Sequence, residues 1–472
     1  MYKYCKVVKS RIYFFNFCFV ALSLISFNSL KAQTDQFAKI GAQKYELQKD
    51  LLIEPPPPVL SNKILPGGLM QGEAFKYNHQ ISTKEELQLE LDSIKKHYAG
   101  FLKSFSPVQQ SLRRQMPIET MNWRIETIDD QQNFKNTLEG KGEWQEVKMP
   151  HYGPPVGHAV TYYTKEIILN EDMLSMGSLF TCFKGVDYKA EVYFNNVFVG
   201  KHEGFFAPFE FDVIKYAHKG KNTLLVKVIN EPTTTGSVDD KGEHTVGNKI
   251  YAAGGLGYDE PMEGWHLCPP AMGIYQDCYL EARATLFVSD VFVRPMTQDS
   301  KAEVWLEIFN TENNQKNISI DLSLYGENFK ATLFENKTYL ASTTHIPGIG
   351  DLVKPTDWQT KSLPMQYGVN YIKIPLAIPD FKWWETNTPW LYNLQIKLSE
   401  VSHGLVDNVN KNFGMRSFQM DTVNIPKGKM FLNGKPIRLR GANSMGFEQN
   451  DVKKKNWNQL IDDILLAKLA NF

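Results

Sequence analysis

A long succession of short alternating strands constrains the fold of this chain more than any other feature of its sequence. Over residues 122–284, apolar and polar side chains alternate in short segments that turn residues separate, as in AEVYF at 190–194 and NTLLVKV at 222–228. Strict alternation is typical of strands with one buried face, and many such strands in succession favour an antiparallel β-sandwich. We therefore predict a sandwich here.

A second succession of strands follows over residues 286–418. Three segments alternate cleanly, at 287–293, 302–308 and 318–324, and they predict an immunoglobulin-like sandwich that needs no paired cysteines. Near its end the chain carries Trp383, Trp384 and Trp390. This aromatic cluster is interpreted as a sandwich edge packed on the next domain, with a carbohydrate platform as the alternative.

In the last stretch, residues 429–472, the succession of alternating strands ends. Asn433-Gly434 lies between two apolar segments and predicts a tight hairpin, because both residues tolerate positive φ. A strand is predicted over 437–441 and a loop after it, with Asp451 as a helix N-cap. From Trp457 the apolar residues recur at helical spacing. A strand, a loop and a helix form one βα unit, which needs parallel neighbours, so we expect the chain to be truncated there.

The first 32 residues have the layout of a secretory signal peptide. Lys3, Lys6, Lys9 and Arg11 precede an apolar run at 12–27, and Ala32 offers a small residue for cleavage. The run is short for a membrane span, which needs ~20 residues, although a retained anchor is the alternative. We expect an exported protein, periplasmic or secreted, with no membrane association after cleavage.

Residues 33–116 are predicted to form a leader that packs on the following domain. It contains a stiff polyproline segment at 55–58 and a capping box at Ser82 to Glu86 that opens a helix of about four turns. The leader carries no evident chemistry.

Charge and cysteine content exclude few functions. The chain has 52 lysine and arginine residues and 52 aspartate and glutamate residues, so its formal net charge is zero. No overall electrostatic field attracts nucleic acid or an acidic membrane, and no nucleic-acid partner is predicted. Beyond the signal region, Cys182, Cys268 and Cys278 remain. Either Cys268 pairs with Cys278 or all three are buried thiols. No cofactor is predicted, and no metal either, since the carboxylates near residue 240 lack the spacing of a calcium loop.

The chain resembles glycoside hydrolase family 2, which includes β-galactosidases, β-mannosidases and β-glucuronidases. FLNGKPIRLRGAN at 431–443 and LAKLANF at 466–472 are similar to the entry into that family's catalytic barrel. Nine strand-like stretches between 144 and 275 follow the family's order. The resemblance implies a mainly β chain: a jelly-roll sugar-binding sandwich plus an immunoglobulin-like sandwich, followed by the first βα unit of an incomplete (β/α)8 barrel. The expected domains are a signal peptide at 1–32, the leader at 33–116, the sandwiches at 117–285 and 286–420, and the truncated barrel at 421–472.

Sugar-binding residues are expected in two segments. Residues 232–270 hold the aromatic and carboxylate side chains that stack on pyranose rings and accept hydroxyl hydrogen bonds. In the family, the loop before the Gly-Ile-Tyr strand helps to bind the terminal sugar, so the resemblance points to Trp265 and His266. The alternative is a core tryptophan and a structural histidine.

Arg440 and Asn443 match the family's "RG.N" pattern and are expected to shape the sugar pocket, while Glu448 is a possible substrate contact. Met445 stands where the family often has histidine, so a particular sugar specificity is not carried over.

No residue of this chain is predicted to be catalytic. Retaining hydrolysis needs two carboxylic acids ~5 Å apart, and the family's two catalytic glutamates lie deeper in the barrel. The main interpretation is therefore the N-terminal part of an exported glycosidase that is inactive by itself. The alternatives are a secreted, non-catalytic carbohydrate-binding protein and a structural or adhesive sandwich protein.

Overall fold

The computed structural model describes most of the chain from residue 81 onward. The described residues are 64–65, 69–70, 81–153, 155, 159–204, 206–230, 272–346, 350–357, 363–365, 368–423, 428–441, 455–470 and 472. The predicted signal peptide, the polyproline segment and Cys268 lie outside them. In the part of the chain that the structure describes, no helix is both long and apolar enough to cross a membrane.

Two elements precede the sandwiches. Strands β1 (Ile64–Leu65) and β2 (Leu69–Met70) pair as a small antiparallel hairpin. Helix α1 (Lys84–Tyr98) begins with the predicted capping box, in which the Thr83 hydroxyl accepts from the Glu86 N–H and the Glu86 carboxylate accepts from the Thr83 N–H. These bonds satisfy backbone donors that the first helical turn leaves without partners. The prediction of this helix is confirmed.

The first sandwich consists of two antiparallel sheets with strand orders β10-β7-β12-β3 and β5-β4-β6-β11-β8-β9 among the described residues. In the described part of this sandwich, three short helices, α2 to α4, lie between the strands. In chain order its elements are β3 (Arg114–Pro117), β4 (Thr120–Ile125), α2 (Ile128–Gln132), α3 (Phe134–Leu138), β5 (Gln145–Lys148), β6 (Ala159–Leu169), α4 (Glu171–Leu174), β7 (Ser178–Phe183), β8 (Lys189–Phe194), β9 (Val197–Glu203), β10 (Phe209–Asp212), β11 (Gly220–Asn230) and β12 (Cys278–Arg283).

The core of this sandwich follows the predicted alternation. On β8, Ala190, Val192 and Phe194 are buried, while the residues between them are partly exposed. They belong to one apolar cluster with residues of the opposite sheet, including Leu179 and Leu280. Cys278 is buried in this core, and burial raises the pKa of its thiol to about 12. Cys182 is buried in a separate small cluster with Phe180 and Phe287.

The second sandwich has sheets with strand orders β13-β14-β20-β18-β17 and β16-β15-β21-β22, and β19 pairs with β15, within the described residues. One core contains Val304 and Ile372 of the first sheet and Ile320 and Ile396 of the second. Its strands are β13 (Leu286–Met296), β14 (Lys301–Asn310), β15 (Lys316–Gly326), β16 (Thr332–Thr338), β17 (Leu340–Ile346), β18 (Gly350–Asp357), β19 (Leu363–Met365), β20 (Gly368–Ala377), β21 (Tyr392–Glu400) and β22 (Gly404–Phe413). The prediction of a mainly β chain is confirmed.

The C-terminal stretch forms an antiparallel sheet and a helix. Strands β23 (Phe418–Asp421), β24 (Lys429–Leu432) and β25 (Lys435–Ile437) pair in that order, and α5 (Trp457–Leu469) follows. Asn433 and Gly434 have φ values of 53° and 74°, which confirms the predicted hairpin. The Asn433 amide donates to the Trp384 carbonyl at 2.9 Å, so the aromatic edge of the second sandwich packs on this hairpin, as interpreted from the sequence.

Two details of this stretch differ from the sequence predictions. The strand predicted over 437–441 is wrong: β25 ends at Ile437, and residues 438–441 are exposed and not in a strand. A barrel strand takes its hydrogen bonds from parallel neighbours, and the described residues offer this segment none. The helix begins at Trp457 with Asn456 as N-cap, so Asp451, which lies outside the described residues, is not the cap.

Most of the described leader lies on the second sandwich, and only its end, from Arg113 onward, contacts the domain that follows it directly, as predicted. The Asn328 amide donates to the Phe101 carbonyl at 3.1 Å, and the Asn408 amide donates to the Gln110 carbonyl at 2.6 Å. The ring of Phe101 packs on Trp390, with 4.8 Å between the ring centroids. Helix periodicity identifies the face that packs but not its partner, so the sequence did not reveal this contact.

A buried charge network joins the two sandwiches where the leader ends. Arg113 makes a bidentate pair with Asp407 of the second sandwich, at 2.8 and 3.1 Å, and lies 3.4 Å from Glu281 of the first. Arg283 donates to Glu281 at 2.5 Å and to both carboxylate oxygens of Glu210, at 2.6 and 2.7 Å. The Asp407 and Glu281 side chains are 2% and 5% exposed, so their charges depend on these guanidinium groups.

Replacing Arg113 with methionine is expected to lower the free energy of unfolding by about 3–5 kcal/mol, because it leaves the buried Asp407 charge without its cation. Urea unfolding followed by fluorescence measures this loss. The matched control is Arg294→Met, whose side chain is 62% exposed and whose ion pair with Glu303 is expected to contribute less than about 1 kcal/mol. Equal unfolding midpoints for the two variants would contradict the role given to Arg113.

Glu281 predicts a dependence of stability on pH. Burial by itself would raise the pKa of Glu281, but the charges of Arg283 and Arg113 and the hydrogen bond from Gln115 lower it overall. Because the folded-state pKa lies below that of an unfolded glutamate, about 4.3, Glu281 contributes stability above that pH. The contribution is lost as the pH falls through the folded-state pKa.

In Glu281→Gln we therefore expect a lower Tm at neutral pH and a shallower fall of Tm between about pH 5 and 3 than in the wild type. Scanning calorimetry across this range measures both, with Glu146→Gln on the exposed side of β5 as the control. A Glu281→Gln profile parallel to the wild-type profile would contradict the assignment.

Candidate functional site

Four of the five residues predicted to contact sugar lie outside the described structure. Trp265 and His266 belong to the undescribed segment 231–271, and Asn443 and Glu448 belong to the undescribed segment 442–454. Arg440 is described and exposed, three residues beyond β25. That these five residues lie together therefore stays a prediction. The structure does describe the residues that flank both undescribed segments.

The first segment re-enters the described structure at a pair of backbone bridges. Met272 pairs with Gly153, and Gly273 pairs with Asp187. The Asp187 N–H donates to the Gly273 carbonyl at 2.9 Å, and the Gly273 N–H donates back at 3.0 Å. This anchor lies only six residues beyond His266.

A cluster of one carboxylate and three phenols surrounds this anchor; we call it the tyrosine cluster and define it as Tyr152, Asp187, Tyr188 and Tyr275. The Tyr152 hydroxyl donates to the Asp187 carboxylate at 3.3 Å, and the rings of Tyr152 and Tyr275 meet edge to face, with 6.3 Å between their centroids. Asp187, Tyr188 and Tyr275 are buried. The cluster thus combines ring faces with hydrogen-bonding oxygens.

A second layer holds the cluster in place. The His151 ring and the Tyr163 hydroxyl form a hydrogen bond of 2.8 Å, and the backbone N–H of His151 donates to the Ile274 carbonyl at 2.8 Å. Behind Tyr275, a Cβ built on Gly185 would lie 2.6 Å from the tyrosine Cζ. Only glycine at position 185 allows the Tyr275 ring its present place.

Burial strengthens the preference of the phenols for the protonated form. It raises the pKa of Tyr275 and of Tyr188 above the ordinary value for tyrosine, because a phenolate in an apolar site loses its hydration. Both hydroxyls therefore stay protonated at physiological pH and are hydrogen-bond donors. The cluster contains a single carboxylate, so its described side chains are suited to orienting a polar ligand or an adjacent segment and not to a double displacement.

The second segment returns to the described structure beside the same cluster. The Lys455 ammonium forms an ion pair of 2.8 Å with Asp277, two residues beyond Tyr275. The end of the segment that carries Asn443 and Glu448 thus lies beside Asp277, five residues beyond Met272, at which the segment that carries Trp265 and His266 rejoins the described structure. This ion pair is the main geometric finding at the site.

Sequence reasoning gave the tyrosine cluster no role. Asp187 and Tyr275 fall among the strand-like stretches between residues 144 and 275. An acidic residue beside a tyrosine, in the turn after a fully buried strand, was the available signal. The pairing of Asp187 with Gly273, 86 residues later, is a long-range contact that no local pattern contains.

Metal ligation was predicted to be absent. Among the described residues, no group of three or more histidine, cysteine or acidic side chains is arranged to hold a metal ion. The carboxylates near residue 240 lie outside that part of the chain, so the prediction stays a prediction, as does the expected absence of a cofactor.

Two family models match this sequence. The model for the sugar binding domain of glycosyl hydrolases family 2 matches residues 144–259, and the model described as glycosyl hydrolases family 2 matches residues 286–416. Together they span more than half of the chain.

Curated relatives are similar over the same region. The β-galactosidase of Priestia megaterium is 26% identical over 360 residues, which are 74% of this chain and 29% of that protein. The β-galactosidase of Thermoanaerobacter pseudethanolicus is 26% identical over 321 residues, covering 64% of this chain and 35% of that protein. The chain thus spans about a third of the length of these relatives. Among solved structures, a β-D-mannosidase from Dictyoglomus thermophilum has a TM-score of 0.49 at 18% identity, covering 70% of this chain and 40% of that one.

The packing of Gly185 against Tyr275 gives a test of the cluster. Gly185→Ala is expected to displace the ring and to lower the free energy of unfolding by about 1–3 kcal/mol, the usual effect of overpacking. Gly153→Ala is the matched control, because a Cβ at Gly153, on the neighbouring bridge, would meet nothing within 4 Å. Denaturant unfolding and the near-ultraviolet circular dichroism of tyrosine measure the two effects. Equal changes in both variants would show that the ring is not held as described.

Proposed function

Because this chain belongs to glycoside hydrolase family 2, we propose that it is the N-terminal part of an exported glycosidase that hydrolyses O-glycosidic bonds of oligosaccharides or polysaccharides. The two matched family models support this proposal. The similarity to β-galactosidases over about a third of their length agrees with it. Export rests on the signal-peptide pattern of residues 1–32.

The proposed chemistry is a retaining double displacement. One carboxylate attacks the anomeric carbon while a second, ~5 Å away, protonates the leaving oxygen and later activates water. We place both glutamates beyond residue 472, in a (β/α)8 barrel of which α5 is the first helix. In barrel enzymes such groups project from the C-terminal ends of strands.

The proposed contribution of this chain is one wall of the sugar site. The ion pair of Lys455 with Asp277, five residues beyond Met272, is the observation that carries this proposal. Trp265 stacks on the terminal pyranose, and His266, Arg440, Asn443 and Glu448 bind its hydroxyls. The tyrosine cluster holds the end of the segment that carries Trp265 and His266 in place. Aromatic faces and charged hydrogen-bonding groups are the side chains that recognise a pyranose.

A second candidate is a secreted carbohydrate-binding protein without catalysis. The single carboxylate in the described cluster favours it, since sugar binding needs no second one. The two candidates differ in whether catalytic residues exist elsewhere in the protein.

The purified 472-residue chain is expected to release no 4-nitrophenol from 4-nitrophenyl β-galactoside, β-mannoside or β-glucuronide, because a double displacement needs two carboxylates ~5 Å apart. The measurement is absorbance over several hours, against a buffer blank and a commercial β-galactosidase. Turnover by this chain that persists after further purification would contradict the placement of the catalytic glutamates beyond residue 472.

A further inference from the structure

One part of the leader connects the two sandwiches; we call residues 101–113 the strap. Its first residue, Phe101, lies on the second sandwich, where its ring packs on Trp390. Its last residue, Arg113, is followed directly by β3, which pairs with β12 in the first sandwich. The strap therefore begins on one sandwich and ends at the other.

A buried carboxamide fixes the start of the strap. The Asn328 amide donates to the carbonyls of Phe101 and Pro389, at 3.1 and 2.9 Å. The carboxamide oxygen of Asn328 accepts from the Leu391 N–H at 2.9 Å. Asn328 thus holds the strap together with both chain neighbours of Trp390, the residue on which Phe101 packs. Because a ring contact and three hydrogen bonds of a buried group coincide here, Phe101 is the anchor of the strap.

The middle of the strap is held by side chains on the outer face of the second sandwich. The Ser106 hydroxyl donates to the Glu327 carboxylate at 2.5 Å, and the Gln395 amide donates to the Pro107 carbonyl at 2.8 Å. Gln395 lies on β21 between two core residues, so its side chain points away from the core, yet it is buried. The strap covers it and supplies the hydrogen-bond partner that a buried carboxamide requires.

The end of the strap is held in the same way and then enters the charge network. The buried Asn408 carboxamide donates to the Gln110 carbonyl at 2.6 Å and accepts from the Leu112 N–H at 3.0 Å. The next residue, Arg113, pairs with Asp407, the chain neighbour of Asn408. Two adjacent residues of β22 therefore bind the backbone of the strap and its guanidinium group.

The attachments leave the strap little slack. They occur at residues 101, 105, 106, 107, 110, 112 and 113, so at most three consecutive residues, 102–104, lie between two of them. An extended chain spans only ~3.5 Å per residue, so a short free piece takes up little movement. A displacement at one attachment is therefore expected to strain the next.

We propose that the strap acts as one unit, so that the packing of Phe101 on Trp390 keeps Arg113 in the charge network between the sandwiches. Phe101 is a positioning residue in this arrangement, and its ring packs on Trp390, twelve residues before Arg113 in the chain. The leader thereby fixes the relative position of two sandwiches that both follow it in the sequence. The inference depends on described contacts alone and not on the proposed glycosidase function.

Hydrogen exchange measured by mass spectrometry on the full 472-residue chain tests the proposal. Phe101→Ala removes the anchor and is expected to accelerate exchange about three- to tenfold in the peptides that contain Leu112 and Val288, whose N–H groups donate to Asn408 and Asp407. The cores of the two sandwiches, followed at β8 and β20, are expected to keep wild-type rates. Leu102→Ala, at the adjacent and exposed residue, is the control and is expected to change nothing.

A double-mutant cycle with Arg113→Met distinguishes a strap that acts as one unit from a series of independent contacts. Residues that lie far apart and share no partner usually contribute additively to stability. If the strap is one unit, the urea midpoint of Phe101→Ala/Arg113→Met falls by less than the sum of the falls in the two single variants. The control pair Leu102→Ala/Arg113→Met is expected to be additive.

Wild-type exchange at Leu112 and Val288 in Phe101→Ala, or additive midpoints in its cycle, would overturn the proposal. Equal acceleration at these two residues and in both cores would overturn it as well, because it indicates general destabilisation. If Phe101→Ala does not fold, Phe101→Leu, which keeps an apolar side chain, replaces it in both measurements. Neither readout involves a sugar, so a failure of the proposed glycosidase function leaves this result unaffected.

Discussion

The arrangement of the described structure depends on the ion pairs that the guanidinium group of Arg113 forms. It pairs with a buried aspartate of one sandwich and a buried glutamate of the other, and Arg283 extends the network to Glu210. Both guanidinium groups also lie over the Phe287 ring. Buried charges at such a junction are costly unless every partner is in place, so the network tolerates one relative position of the two sandwiches.

Each of the two sandwiches carries elements that adjoin the candidate site. The tyrosine cluster belongs to the first sandwich, whereas the sheet of β23, β24 and β25 and the leader are attached to the second. The proposed sugar site draws on residues from both sides of this junction, Trp265 and His266 before the second sandwich and Arg440 after it. In that proposal, the junction at Arg113 fixes the position of the two sandwiches relative to each other.

The elements that the sequence predicts well are those determined by neighbours along the chain. The Thr83–Glu86 capping box and the Asn433-Gly434 turn depend on residues within four positions of each other. The alternation on β8 reports the one buried face of a strand. Failures occur where the outcome depends on a distant partner. Residues 438–441 have no parallel neighbour among the described strands, and most of the leader packs on a sandwich more than two hundred residues further along the chain. The pairing of Asp187 with Gly273 belongs to the same class, so the tyrosine cluster escaped prediction.

We propose that this chain is the N-terminal part of a longer glycosidase, and the DNA that follows the codon for Phe472 is the direct test. We expect an open frame of about 250 further codons that encode alternating strands and helices, with two glutamates at the ends of predicted strands. A stop codon directly after Phe472 in the native gene would contradict it. The non-catalytic carbohydrate-binding protein would then be the better explanation of the two sandwiches.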